Sequence, residues 1–161
     1  MFDEVKNRLL EERLRPRAWS EGGFLGSTES LSAVIKQDKQ TLIRLGISYE
    51  EIADALEKVL LIALDQYWKD QKESIVGHLQ VTLKVYRGFQ RCPWNCSREG
   101  TKQFDFVDFL LYNLRTKESV EGPGLIIHLI REHKFFEGIE SPYRVDPERL
   151  SRMLEIIPGD T

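Results

Sequence analysis

The sequence predicts an α+β domain in which a helical N-terminal half precedes a short antiparallel β-hairpin packed against two C-terminal helices. Three observations carry that expectation. Apolar residues recur at helical spacing between Phe2 and Trp68, a strict alternation runs from Leu79 to Tyr86, and two more helical patterns follow turn residues near Gly122 and Asp146. The 161 residues, 41% hydrophobic and 30% charged, have the composition of a single globular domain. A chain of that length buries roughly 70% of its unfolded surface and needs no staples. The helical part is expected over residues 1–73 and the hairpin with its helices over 75–158.

In chain order, Phe2, Val5, Leu9, Leu10 and Leu14 make a first helix that Pro16 ends. The glycines and hydroxyls of SEGGFLGSTES, from Ser20, read as a loop leading to an N-cap. Leu31, Val34, Ile35, Leu42 and Leu45 predict a second helix closed by Gly46. Ser48 and Glu51 form a capping box that opens the third, whose stripe Ile52, Leu56, Val59, Leu60 and Ala63 runs to about Trp68. The charged KDQKES then reads as a turn.

Leu79, Val81, Leu83 and Val85 alternate with polar residues, which predicts a strand with one buried face. Residues 104–115, FDFVDFLLYNLR, fit a strand and also one helical face; they are read as a strand antiparallel to 79–91. TKESVEGPG reads as a turn, and LIIHLIREHKFF, residues 125–136, as a buried helix. Val145, Asp146 and Pro147 open a last helix, which Pro158 and Gly159 end.

Residues 45–56, LGISYEEIADAL, resemble the opening of a sigma-factor-type helix-turn-helix, which would imply DNA reading. The chain departs from that pattern: EKVLLIALDQYW continues the apolar stripe without a turn, and Glu50, Glu51, Asp54 and Glu57 repel phosphate. Loop SEGGFLGSTES likewise carries Ser27 and Thr28 where a Walker-type phosphate loop needs lysine.

The densest chemistry lies in GFQRCPWNCSREG, residues 88–100, which holds both cysteines. Every Cys and His except His78 falls within residues 92–133. A Cys-x3-Cys turn with imidazoles is a donor set that zinc prefers, so Cys92, Cys96, His133 and His128 are the candidate zinc ligands. The alternatives are buried, metal-free cysteines in a ligand- or partner-binding domain, and a reversible disulfide or redox pair. His78 starts the strand at its far end, more than about 40 Å of extended chain from Cys92, and reads as a surface histidine.

The spacing H-x4-H is similar to that of zinc fingers, although 31 residues separate Cys96 from His128. HLIREH also resembles the H-x-x-E-H of inverzincin peptidases with one residue added. In a straight helix that residue leaves the two rings about 140° apart, so unless a bulge or frayed last turn intervenes one metal should not take both, and His133 is the better ligand. Reach raises a second conflict. A strand over 104–115 carries the chain about 36 Å from the cysteines, and the following helix returns only about 15 Å.

Lys84, Arg87, Arg91, Arg98 and Lys102 oppose only Glu99 between residues 84 and 102, with Tyr86, Phe89 and Trp94 interleaved. Such a rim suits single-stranded nucleic acid, with Arg87, Arg91, Arg98, Lys102 and Trp94 as its contacts. The overall charge of −3 argues against general affinity for nucleic acid or anionic membrane. The longest apolar run, Val59 to Leu64, is too short to span a bilayer, and no signal-peptide core is present. A cytoplasmic protein is expected, with a non-enzymatic binding role and a protein as its first expected partner. The rival is a zinc enzyme with an open metal position and Glu132 or Glu137 as general base. Glu137, Tyr143 and Arg144 also sit in connections suited to a pocket.

Overall fold

In the computed structural model, which describes residues 2–69 and 73–157, the N-terminal half is helical as the apolar spacing predicts. Helices α1 (Phe2–Leu14), α2 (Leu31–Leu45) and α3 (Tyr49–Trp68) precede a sheet of β1 (Glu73–Val76), β2 (Leu79–Val85), β3 (Val107–Asn113) and β4 (Ser119–Pro123). Helices α4 (Ile126–His133) and α5 (Pro147–Met153) complete the fold.

Local chemistry sets most boundaries. The Leu14 carbonyl at the end of α1 accepts from the Phe24 and Leu25 amides at 2.8 and 3.0 Å, folding the glycine-rich loop back. Phe24 and Leu25 are thereby buried, although the segment reads as a plain loop. Gly46 stops α2 with φ 69°, the left-handed conformation that glycine adopts without a Cβ clash. Ser48 and Glu51 cap α3 reciprocally, at 3.1 and 3.2 Å.

The strands form an antiparallel meander in the order β1-β2-β3-β4. Ser74, Val81, Leu111 and Val120 lie across from one another and are all buried, one row of the face turned to the helices. The expected pairing of residues 79–91 with 104–115 is present as β2 with β3, and residues 104–106 form a turn ahead of β3.

Two strands went unread in the sequence. Glu73 and Ser74 of KDQKES belong to β1, and TKESVEGPG contains β4; Asp70, Gln71 and Lys72 lie outside the described residues. Both are edge strands, and short, charged or proline-bearing edges give no alternating signal of their own. Gly122 inside β4 has a packing reason, because a Cβ there would come within 2.7 Å of Val145.

Helix α4 is shorter than residues 125–136: it ends at His133, and Phe135 and Phe136 leave it to become fully buried. Asp146 caps α5 by accepting from the Arg149 amide at 2.9 Å, with Pro147 in the first turn. This helix ends at Met153, ahead of Pro158 and Gly159, which lie outside the described residues. One continuous apolar cluster, from Leu10 to Met153, joins the helical half to the sheet. No described helix is long and apolar enough to cross a membrane.

Candidate metal centre

Cys92 starts a turn in which Pro93 takes the position its fixed φ suits, and the Asn95 amide bonds back to the Cys92 carbonyl at 2.8 Å. Asn95 itself has φ 62°, a left-handed conformation that asparagine tolerates better than most residues. The chain therefore reverses, and Cys96 returns beside Cys92. The Arg91 guanidinium donates to the Asn95 side-chain oxygen at 3.0 Å and braces the turn from outside.

The histidines arrive on α4, whose placement depends on two features. Gly124 lies so close to β3 that a Cβ would collide with the Phe104 carbonyl, and its amide bonds to the Val107 carbonyl at 2.7 Å. Arg131 then ties α4 to α3, reaching Asp54 at 2.7 Å, Glu57 at 2.8 Å and Glu50 at 3.4 Å. These acidic residues of α3 serve as anchors for the histidine-bearing helix.

The ligand atoms of Cys92, Cys96, His128 and His133 all lie within 4.8 Å of one another, so the four residues form a cluster that could hold a metal ion. The His133 Nε2 is 3.4 Å from the Cys92 sulfur and 3.3 Å from that of Cys96. The straight-helix expectation that one metal should not take both histidines does not apply, because the last turn of α4 departs from a straight helix. At the end of α2, the Gly46 amide reaches Ile43 and Leu42, and that of Ile47 reaches Leu42. At the end of α4 each bond goes one residue further back, from Lys134 to Ile130 and Leu129 and from Phe135 to Leu129. This wider last turn lowers the rotation per residue and narrows the angle between His128 and His133. Their rings meet edge to face with centroids 5.1 Å apart.

The conflict of reach also disappears. Strand β4 runs antiparallel to β3 and carries the chain back along the sheet before α4 begins. A strand at 107–113 and a four-residue cluster are therefore compatible.

Surrounding groups orient the donors. Trp94 stacks on the His133 ring, centroids 4.2 Å apart and planes 6° apart, and Phe135 meets Trp94 edge-on at 5.5 Å. The His128 Nε2 is buried with no partner among the described residues. Buried polar atoms are normally satisfied, so that nitrogen marks a place where a ligand fits.

Burial drives the protonation states. It pushes the Cys92 thiol up to about 11, against the lowering effect of the Trp94 and Cys96 backbone groups. It pushes His133 down to about 4, with His128 adding to the shift, and lowers His128 as well. Both imidazoles are thus neutral near pH 7 and free to donate a lone pair, while Cys92 must lose a proton to become a ligand.

His78 lies exposed in the turn between β1 and β2, beside Arg115 and outside the cluster. Arg87 is exposed; Arg91 lies 4.3 Å over the Trp19 ring; Arg98 pairs with Asp105 at 3.1 Å; Lys102 pairs with Glu99 at 2.9 Å. Trp94, expected at a nucleic-acid rim, spends one face on His133. Glu132 lines a small cavity beside His128. Glu137 instead joins a separate buried polar knot, where Ser141 donates to it at 3.4 Å and Arg144 donates to its carbonyl at 2.9 Å. The role of Arg131 is not readable in the sequence, because nothing local distinguishes an anchoring arginine from a solvated one.

The chain is thus an α+β domain carrying a Cys2His2 cluster able to hold a metal ion. No protein-family model matches it, and comparison with curated proteins and with solved structures finds no match.

Proposed function

We propose that Cys92, Cys96, His128 and His133 hold a structural Zn2+ and that the domain is a metal-stabilised, non-enzymatic binding module. The observation that carries this reading is the convergence of two thiols and two imidazoles within 4.8 Å, from a turn and a helix far apart in sequence. Zinc bonds of about 2.3 Å to sulfur and 2.0–2.1 Å to nitrogen place tetrahedral S and N atoms about 3.5 Å apart. The sulfur–nitrogen separations of 3.3 and 3.4 Å are close to that value. Thiolates with imidazoles favour zinc over the hard cations that oxygen donors select.

Four protein donors fill a tetrahedral shell, the pattern of a structural site, whereas a catalytic one keeps a position for water. Glu137 also supports the structural reading, since it is buried in a separate knot and absent from the cluster. Elemental analysis of protein purified without chelator should find stoichiometric zinc, and chelation should lower the melting temperature. A protein free of metal whose melting temperature ignores chelator would sink the proposal.

A further inference from the structure

A cleft of about 700 Å³ lies beside the segment leading into Cys92, with Trp19, Tyr86, Phe89, Arg91, Asp108 and Tyr143 among its lining. That volume suits a ligand of nucleotide size. Two of its rings are open to solvent: Tyr86 is 42% and Phe89 49% exposed. Tyr143 is held in place against Gly22, where a Cβ would approach its ring to 3.0 Å.

The charges decide what kind of ligand fits. Arg91 covers Trp19 at 4.3 Å, Arg98 covers Phe89 at 3.9 Å, and the Lys84 ammonium lies 5.2 Å from the Tyr86 ring. Of these three cations Arg91 alone lines the cleft, and it is the group there that an anionic ligand can meet. Of the two carboxylates, Asp105 is committed to Arg98 at 3.1 Å and Thr101 at 2.9 Å. Asp108 accepts from the Tyr86 hydroxyl at 2.7 Å through one oxygen, and no described donor reaches the other. Arg91 gives one N–H to Asn95 and makes no ion pair among the described residues, so most of its guanidinium is free.

We infer that this cleft binds a planar nitrogen heterocycle carrying an anionic group, the chemistry of a nucleotide, with Arg91 on the phosphate and the open faces of Phe89 and Tyr86 stacking on the ring. Asp108 accepts from a ring amino or N–H group, which favours amino-bearing bases. Arg91 directly precedes Cys92 and is bonded to the cysteine turn, so ordering of that turn also positions the phosphate-binding group. The inference names the ligand of the proposed binding module and rests on that reading.

Titration calorimetry in phosphate-free buffer tests it with 5′-CMP, 5′-AMP and 5′-GMP, the matching nucleosides, ribose 5-phosphate and a short single-stranded oligonucleotide. A mononucleotide or the oligonucleotide should bind with Kd below about 1 mM. It should bind at least about tenfold more tightly than nucleoside or ribose 5-phosphate alone. Arg91→Ala and Phe89→Ala should each weaken it by about tenfold or more, and Phe89→Ala should do so while leaving metal content unchanged. Tight mononucleotide binding identifies a free nucleotide as the source; binding of the oligonucleotide alone, with the same dependence on both variants, identifies a strand. No heat from any probe, or affinity indifferent to both variants, overturns the inference. Metal measured on the same samples separates the two readings, because nucleotide binding by zinc-free protein would sink only the metal.

Discussion

The Asp38–Arg144 knot and the Cys92–Cys96–His128–His133 cluster both take polar groups out of water, and they are satisfied differently. Arg144 grips Asp38 with two bonds of 2.6 and 2.7 Å and the Glu137 carbonyl with a third. That knot supplies its own counter-charge. The cluster has no opposite charge inside it, and the two sulfurs share one histidine nitrogen while His128 Nε2 has none. The Asp38–Arg144 pair is satisfied internally, although the Glu137 Oε1 beside it is buried with no partner among the described residues, whereas the converging donors of the cluster reach satisfaction through something bound.

Breaking the knot should have the largest effect. Arg144→Ala leaves Asp38 buried and unpaired, which costs about 3–5 kcal/mol and about 10 °C in melting temperature. Replacing both partners together, as Asp38→Leu with Arg144→Met, should recover most of that loss in a thermal melt.

Emptying the cluster comes next. Cys92→Ser should abolish stoichiometric zinc, and chelating the native protein should remove about 4 kcal/mol if the metal was bound at a thousand times its Kd. Differential scanning calorimetry with and without chelator measures this, and the variant should no longer respond to chelator. Trp94→Ala frees the His133 ring and should weaken zinc by about tenfold in a competition titration. Arg131→Ala loosens α4 from α3; its exposed network should contribute only about 1 kcal/mol in urea unfolding.

The two regions should also respond to pH in opposite senses. The folded protein holds His133 at about 4, below the ordinary imidazole value near 6.5, so in that window the unfolded chain binds more protons. Chelated protein should therefore lose stability as pH falls from about 6.5 toward 4. Burial, opposed by Ser141 and Arg144, raises Glu137 well above the carboxylate range, so the folded state keeps a proton that the unfolded chain has released. Its contribution is complete below the ordinary carboxylate value and declines as pH rises through the raised one. Melting temperature against pH should show both trends, and Glu137→Gln should flatten the second alone.

Helix ends and central strands were legible because their signals are local. Ser48 with Glu51, Gly46, and Asp146 with Pro147 each act within a few residues, and the buried Leu79, Val81 and Leu83 alternate along one strand. Strand β4 was not legible, since Val120 is its only strongly hydrophobic core residue and Gly122 answers to Val145 from another segment. The site was half legible. Cys-x3-Cys announces its turn, but joining His128 to it needed the widened end of α4, which no glycine marks.

The sequence by itself determined the α+β class, the order of the helices, the β2–β3 pairing and the cysteine turn, because spacing, capping and turn chemistry act over short stretches of chain. Only the tertiary structure decided that β4 returns the chain along the sheet, that Arg131 anchors α4 on α3, and that both histidines face the two sulfurs. The last two outcomes depend on packing between segments 30 or more residues apart, and a linear pattern carries no record of which distant surfaces meet.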